Sequence, residues 1–338
     1  MYKKCKVFGV VLLLLFALGM TGCSVKGGTG KLKIVCTIFP QYDWVREVLG
    51  DKVNDVELTL IMDNGADLHN YQPTTEDIIT ISSCDLFIYV GGESDGWVKD
   101  VLKEAVNKDM KVISLLDTVS DNVKTEEIVE GMEQEDAHDH DHEHDHDHDE
   151  GHNEEGGIES AYDEHVWLSV NNAKRIVERI AKELIALDAD NRTVYEENAQ
   201  VYLTKLESLH EKYKNMTENA ARDTLLFADR FPFRYLVEDY NLNYYAAFSG
   251  CSAETEASFE TIAFLSDKMD ALKLPVIFVL ENASDKLAKS IIENSNNKQV
   301  EIAVLNSIQS VTKKDIQNGF SYLGAMEDNL LILQKALN

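Results

Sequence analysis

"KIVCTIFPQYDWVREVLGDKVNDVELTLIM", residues 33–62, is the stretch whose reading decides the fold. Its first seven residues read as an apolar strand, "YDWVREVLG" (42–50) as an amphipathic helix closed by Gly50, and "VELTLIM" (56–62) as a second strand. Short buried strands separated by a helix imply a parallel βαβ unit.

The same alternation extends outward from there. "DLFIYVGG" (85–92) and "KVISLLD" (111–117) read as third and fourth strands, before an acidic tract. Beyond the tract, "SVNNAKRIVERIAKELIALD" (169–188) places Ile176, Val177, Ile180, Leu184 and Ile185 on one helical stripe. A second helix is predicted from about Asn191 to Asn219, with Tyr195, Ala199, Tyr202, Leu206 and Leu209 on one face and no Gly or Pro. It is a candidate rigid spine.

"TLLFAD", "LNYYAAF", "PVIFVLE" and "EIAVLNS" then read as strands, and "SYLGAMEDNLLILQKAL" as a closing helix. The expected fold is α/β: two βα lobes with mainly parallel sheets, joined by a long rigid helix, each lobe large enough to bury its own core. The N-terminal lobe is placed at 33–170 with a loop at 133–157, the helices at 171–220, and the C-terminal lobe at 221–338. Ligands of such sheets bind beyond the carboxyl ends of strands, so the loops there are where chemistry is to be sought.

The chain carries a formal net charge of -28, which argues against nucleic acid as a partner because phosphate binding needs clustered Lys and Arg. Much of the acidity is local: residues 125–173 contain no Lys or Arg. Such a field attracts divalent cations. Seven of the ten histidines, His138, His140, His142, His144, His146, His148 and His152, alternate there with acids. The tract has no apolar anchor to hold one geometry, so it reads as an accessory that recruits transition metals in interchangeable arrangements.

The N-terminus has a basic start at Lys3, Lys4 and Lys6 followed by an apolar run to Met20, the pattern of a signal peptide over 1–22. Thr21 and Gly22 before Cys23 resemble a bacterial lipobox, which implies a lipidated Cys23, a tether over 23–32 and a membrane-anchored, extracytoplasmic protein. Cys36, Cys84 and Cys251 then remain, an odd number at wide spacing, and read as small buried hydrophobes near strands.

Outside the tract the histidines are His69, in a polar loop after the second strand, His165, just before a helix, and His210, in the spine helix and expected to be exposed. His69 and His165, both on loops, suit a zinc or manganese site that takes neutral imidazole plus carboxylate, with Asp163 and Glu164 placed to orient a ring.

"TIFPQYDWVREVLGD", "GADLHNYQPTTEDI", "LFIYVGGESDGWV", "DEHVWLSVNNAKRI", "SAETEASFETI" and "GFSYLGAMEDNLLILQKAL" together resemble the zinc and manganese solute-binding lipoproteins of bacterial ABC importers. The resemblance implies a metal held between two lobes and delivery to a membrane permease with its ATPase. It matches His69 to the first histidine ligand and His165 to the second, and a His-rich acidic loop before the second is typical of the zinc-importing branch.

The family's third ligand, His or Glu at the end of the first strand of the C-terminal lobe, falls on Arg230, which cannot ligate. Asp229 beside it could, with a one-residue shift of the turn. The fourth, often Asp, falls on Asn306. Glu281 is a further acid at the cleft, with pairing to Arg230 as its alternative. Zn(II) is the expected cargo, with Mn(II) as the second choice. A metal-buffering or adhesin lipoprotein without transport is a different class to weigh. A zinc-dependent hydrolase is weakest, because neither HExxH nor GxSxG is written here.

Overall fold

The computed structural model describes residues 30–133, 162–252 and 256–338. The signal segment, Cys23 and the seven tract histidines lie outside the described residues.

Strand β1 (Leu32–Cys36) leads into helix α1 (Phe39–Leu49) and strand β2 (Val56–Leu60), with β1 and β2 paired in parallel. The first strand ends three residues earlier than its sequence suggests. Pro40 sits in the first helical turn, where its missing N–H costs nothing, and the Gln41 side chain accepts from the backbone N–H groups of Thr37 (2.9 Å) and Ile38 (3.3 Å). Thr37 and Ile38 therefore cap a helix.

Helix α2 (Thr75–Ser82), β3 (Leu86–Tyr89), α3 (Val98–Lys103), β4 (Lys111–Ser114) and α4 (Leu115–Thr118) complete the first lobe, whose sheet runs β2-β1-β3-β4. Helices α5 (Val170–Leu187) and α6 (Arg192–Glu218) follow. The second lobe contains β5 (Thr224–Phe231), α7 (Arg234–Asp239), β6 (Asn243–Ser249), α8 (Phe259–Leu272), β7 (Val276–Leu280), α9 (Lys286–Asn294), β8 (Glu301–Leu305), α10 (Lys313–Gln317) and α11 (Tyr322–Leu337). Its sheet repeats the first, in the order β6-β5-β7-β8, and every described strand pair is parallel.

The spine helix α6 has 27 residues, about 40 Å at 1.5 Å per residue, and buries Tyr195, Ala199, Tyr202, Leu206, Leu209, Tyr213 and Met216. It grips both lobes. Asn198 donates to Val48 O at the end of α1 (3.1 Å), and the Tyr213 hydroxyl donates to Met326 O in α11 (2.7 Å). His210 is half-buried rather than exposed: its ring lies against Tyr240, whose hydroxyl is 3.1 Å from Nδ1.

Each lobe buries an apolar cluster of its own, around Phe87 in the first and Ile277 in the second, and a third cluster is shared between them. The largest apolar cluster runs through both sheets, from Ile34 and Trp44 to Phe227, Leu305 and Tyr322. At its centre the Trp167 indole donates to Ser307 O (2.8 Å), and the Tyr322 hydroxyl donates to Trp167 O (2.7 Å). Separating the lobes would expose these aromatic faces, each fully buried large side chain representing roughly 1.5–3 kcal/mol of burial. Among the described residues no helix is long and apolar enough to cross a membrane.

Candidate metal centre

His69 lies in a short 3₁₀ turn, Leu68–Asn70, beyond the carboxyl end of β2. Asp67 starts that turn, one oxygen accepting from His69 N (3.0 Å). Its other oxygen accepts from Arg230 Nη2 (2.7 Å), a bond from the end of β5 across the cleft. Burial opposes ionisation of Asp67, but the guanidinium overcomes it and holds the carboxyl below its usual range.

His165 precedes a second 3₁₀ turn, Val166–Leu168, all of it buried. One oxygen of Asp163 lies 2.9 Å from His165 N and 3.0 Å from its Nδ1. A carboxylate only accepts, so the ring proton belongs on Nδ1 and the Nε2 lone pair is free.

That Nε2 stands 3.1 Å from His69 Nε2. Two ring nitrogens at this distance need a proton or a cation between them. His69 Nδ1 is 2.9 Å from Ser94 Oγ and 3.6 Å from Glu164 Oε2, a buried oxygen with no hydrogen-bond partner. Both imidazoles are thus turned by groups behind them so that Nε2 faces Nε2.

The electrostatics suit a metal better than two imidazolium ions. Burial, then the charge of His165, lowers His69 to about 3. Burial also pulls His165 down, but Asp163 outweighs it, and its pKa is raised. Burial raises Glu164 as well.

The ligating atoms of His69, His165 and Cys251 all lie within 4.8 Å of one another, and among the described residues these three form the group of ligating side chains close enough to hold one ion. Cys251 follows β6 in a tight turn. Sequence reading took it for a buried hydrophobe; Cys36 and Cys84 are buried in that way, but Cys251 is half-buried at the cleft. Burial, then Glu126, Asp163 and Glu164, push its thiol well above the ordinary value. No spacing in the sequence marks it, because its partners come from the other lobe.

Asp229, Glu281 and Asn306 line or adjoin the cleft, with their oxygens engaged elsewhere. The register of β5 against β6 slips between Phe227 and Arg230, a bulge that re-aims this end of the strand. Asp229 accepts from Arg230 N (2.8 Å) and Leu280 N (3.0 Å). Glu281 accepts from Ser307 N (2.7 Å) and Ser307 Oγ (2.6 Å), so Arg230 pairs with Asp67 and not with Glu281. Asn306 Oδ1 accepts from Ile308 N (2.7 Å).

The fold and the site define a two-lobed binding protein that turns paired imidazoles into the cleft between parallel sheets. The chain belongs to the ZnuA family, described as "Zinc-uptake complex component A periplasmic", whose profile matches residues 34–336. It is 32% identical to the zinc-binding lipoprotein AdcA of Streptococcus pneumoniae over 98% of this chain, and spans 61% of that relative's length. It is 28% identical to the high-affinity zinc uptake system protein ZnuA of Bacillus subtilis, over 100% of this chain and 99% of that one. The crystal structure of the Zn(II)-bound ZnuA-like domain of S. pneumoniae AdcA superposes with a TM-score of 0.68 at 28% identity, covering 91% of this chain and 99% of that one.

Proposed function

We propose that the chain is an extracytoplasmic receptor that captures Zn(II) and delivers it to an ABC permease driven by its ATPase. It is a binding protein and not a catalyst. The observation that carries this reading is the pair of Nε2 atoms 3.1 Å apart, each ring oriented from behind by a carboxylate or hydroxyl. Neutral imidazole is a zinc ligand, and manganese prefers carboxylate oxygen. The zinc-binding and zinc-uptake names of the relatives support the same cargo.

The leader and Cys23 support a lipid anchor on the outer face of the membrane. The acidic histidine tract serves as an accessory that raises the local metal concentration. Among the described residues on either side of the segment that carries it, Thr125 pairs with Tyr162 and Asp163 N donates to Lys124 O (2.9 Å), shortly before His165.

Calorimetry on chelator-stripped protein beginning at Ser24 tests the reading. The expected result is one tight zinc isotherm, beside weaker tract binding, that disappears in both His69→Ala and His165→Ala. Unchanged tight binding in those two variants would overturn it.

A further inference from the structure

We propose that Cys251 is a ligand of the metal, its thiolate standing where the resemblance seeks a histidine or acid at the end of β5. The inference rests on the zinc-receptor reading and specifies its site. The carboxylates offered by the sequence are held by backbone donors, and Arg230 closes the end of β5 by its bond to Asp67. The sulfur, by contrast, lies within 4.8 Å of the ligating atoms of both histidines. A tetrahedral zinc at ordinary bond lengths needs about 3.3 Å between nitrogens and about 3.6 Å from nitrogen to sulfur. Closing by about an ångström completes the set.

The turn after β6 is built for this approach. A Cβ on Gly250 would stand 2.8 Å from Phe231 O and 3.3 Å from Cε1 of His165, so only glycine lets the chain lie against that ring and carry the next side chain inward. Glu126 then fixes the turn by accepting from Cys251 N (2.7 Å). Because Cys251 comes from the second lobe and both histidines from the other side of the cleft, the ion ties the lobes together. A cavity of about 160 Å³ bordered by His165, Gly250 and Arg230 leaves room for a water as fourth ligand.

On binding, Zn(II) displaces the thiol proton, which passes to solvent. Thiolate favours zinc and disfavours manganese, so Cys251 sets the selectivity as well as the affinity.

Cobalt(II) added to the full-length metal-free protein is the probe, since thiolate bound to cobalt gives a sulfur-to-metal charge-transfer band in the near ultraviolet that imidazole and carboxylate do not. The tract contains no cysteine and cannot produce it. The band is expected in the native protein and lost in Cys251→Ser. The zinc-over-manganese affinity ratio should fall in that variant by at least about tenfold, the low end of what a mere supporting residue costs. Tight cobalt binding that needs His69 and His165 but shows no such band, or a band that survives Cys251→Ser, overturns the thiolate ligand and leaves the receptor reading intact. Absence of any tight site dependent on the two histidines overturns both.

Discussion

A single oxygen of Asp163 receives both the backbone N–H and the ring of His165, so one carboxylate sets the position and the tautomer of the imidazole that faces His69. Replacing it with Asn keeps an acceptor but removes the charge that makes the ring a better donor to metal. Asp163→Asn should therefore weaken zinc binding roughly 10–100-fold while moving the melting temperature of the metal-free protein by only a few degrees. Competition against a chromophoric chelator reads the first quantity and calorimetric scanning the second; unaltered affinity would show that the ring is held by packing alone. His69 and His165 could be picked out from sequence because they are loop histidines at the ends of predicted strands. Asp67 could not, since its partner Arg230 is distant in the chain and only folding brings them to 2.7 Å.

Periodicity decided the elements, and the departures from it occur where side chains compete with the backbone. Gly50 ends α1 at φ 54, a left-handed conformation, and a Cβ there would come within 2.5 Å of Asn198 Nδ2 on the spine helix. That same amide is the donor to Val48 O. Gly50→Ala must then strain the turn and displace the hydrogen bond that docks the spine, a combined cost of roughly 2–4 kcal/mol. Urea unfolding measures it, and a loss below 1 kcal/mol would mean the junction relaxes freely. A second local departure is Ile308, buried at φ 61, which no β-branched residue adopts without cost. Asn306 accepts from its N–H, and Asn329 of α11 holds Asn306 through its backbone N (2.8 Å) and O (2.8 Å). Sequence pattern placed Asn306 at a strand end and could not show this bracing role.

At the scale of the whole molecule the lobes are joined by contacts that respond to pH. Asp43 of α1, in the first lobe, accepts from Tyr322 N at the start of α11 (2.9 Å), in the second. Burial raises its carboxyl from 3.8 to about 6, against the pull of the Tyr322 N–H. Since the folded value lies above the unfolded one, the folded protein holds the extra proton between about pH 4 and pH 6. The stability due to protonated Asp43 is full below pH 4 and is lost as pH rises through 6, on the order of 3 kcal/mol for a two-unit shift. Asp43→Asn, which keeps an acceptor for Tyr322, should match the native protein near pH 4 and exceed it by up to that amount at pH 7. Urea titrations at the two pH values decide the matter: a difference independent of pH would locate the effect in packing.

The sequence by itself determined the two βα lobes, the spine helix, the parallel pairing and the two loop histidines, because alternating burial and helical period are local properties written in consecutive residues. Tertiary structure alone decided that the largest core runs through both lobes, that Arg230 reaches Asp67, that Asp229 and Glu281 are held by Leu280 and Ser307, and that Cys251 lies beside the imidazoles. Each of these depends on distances between residues far apart in the chain, and such distances exist only after the sheets have packed.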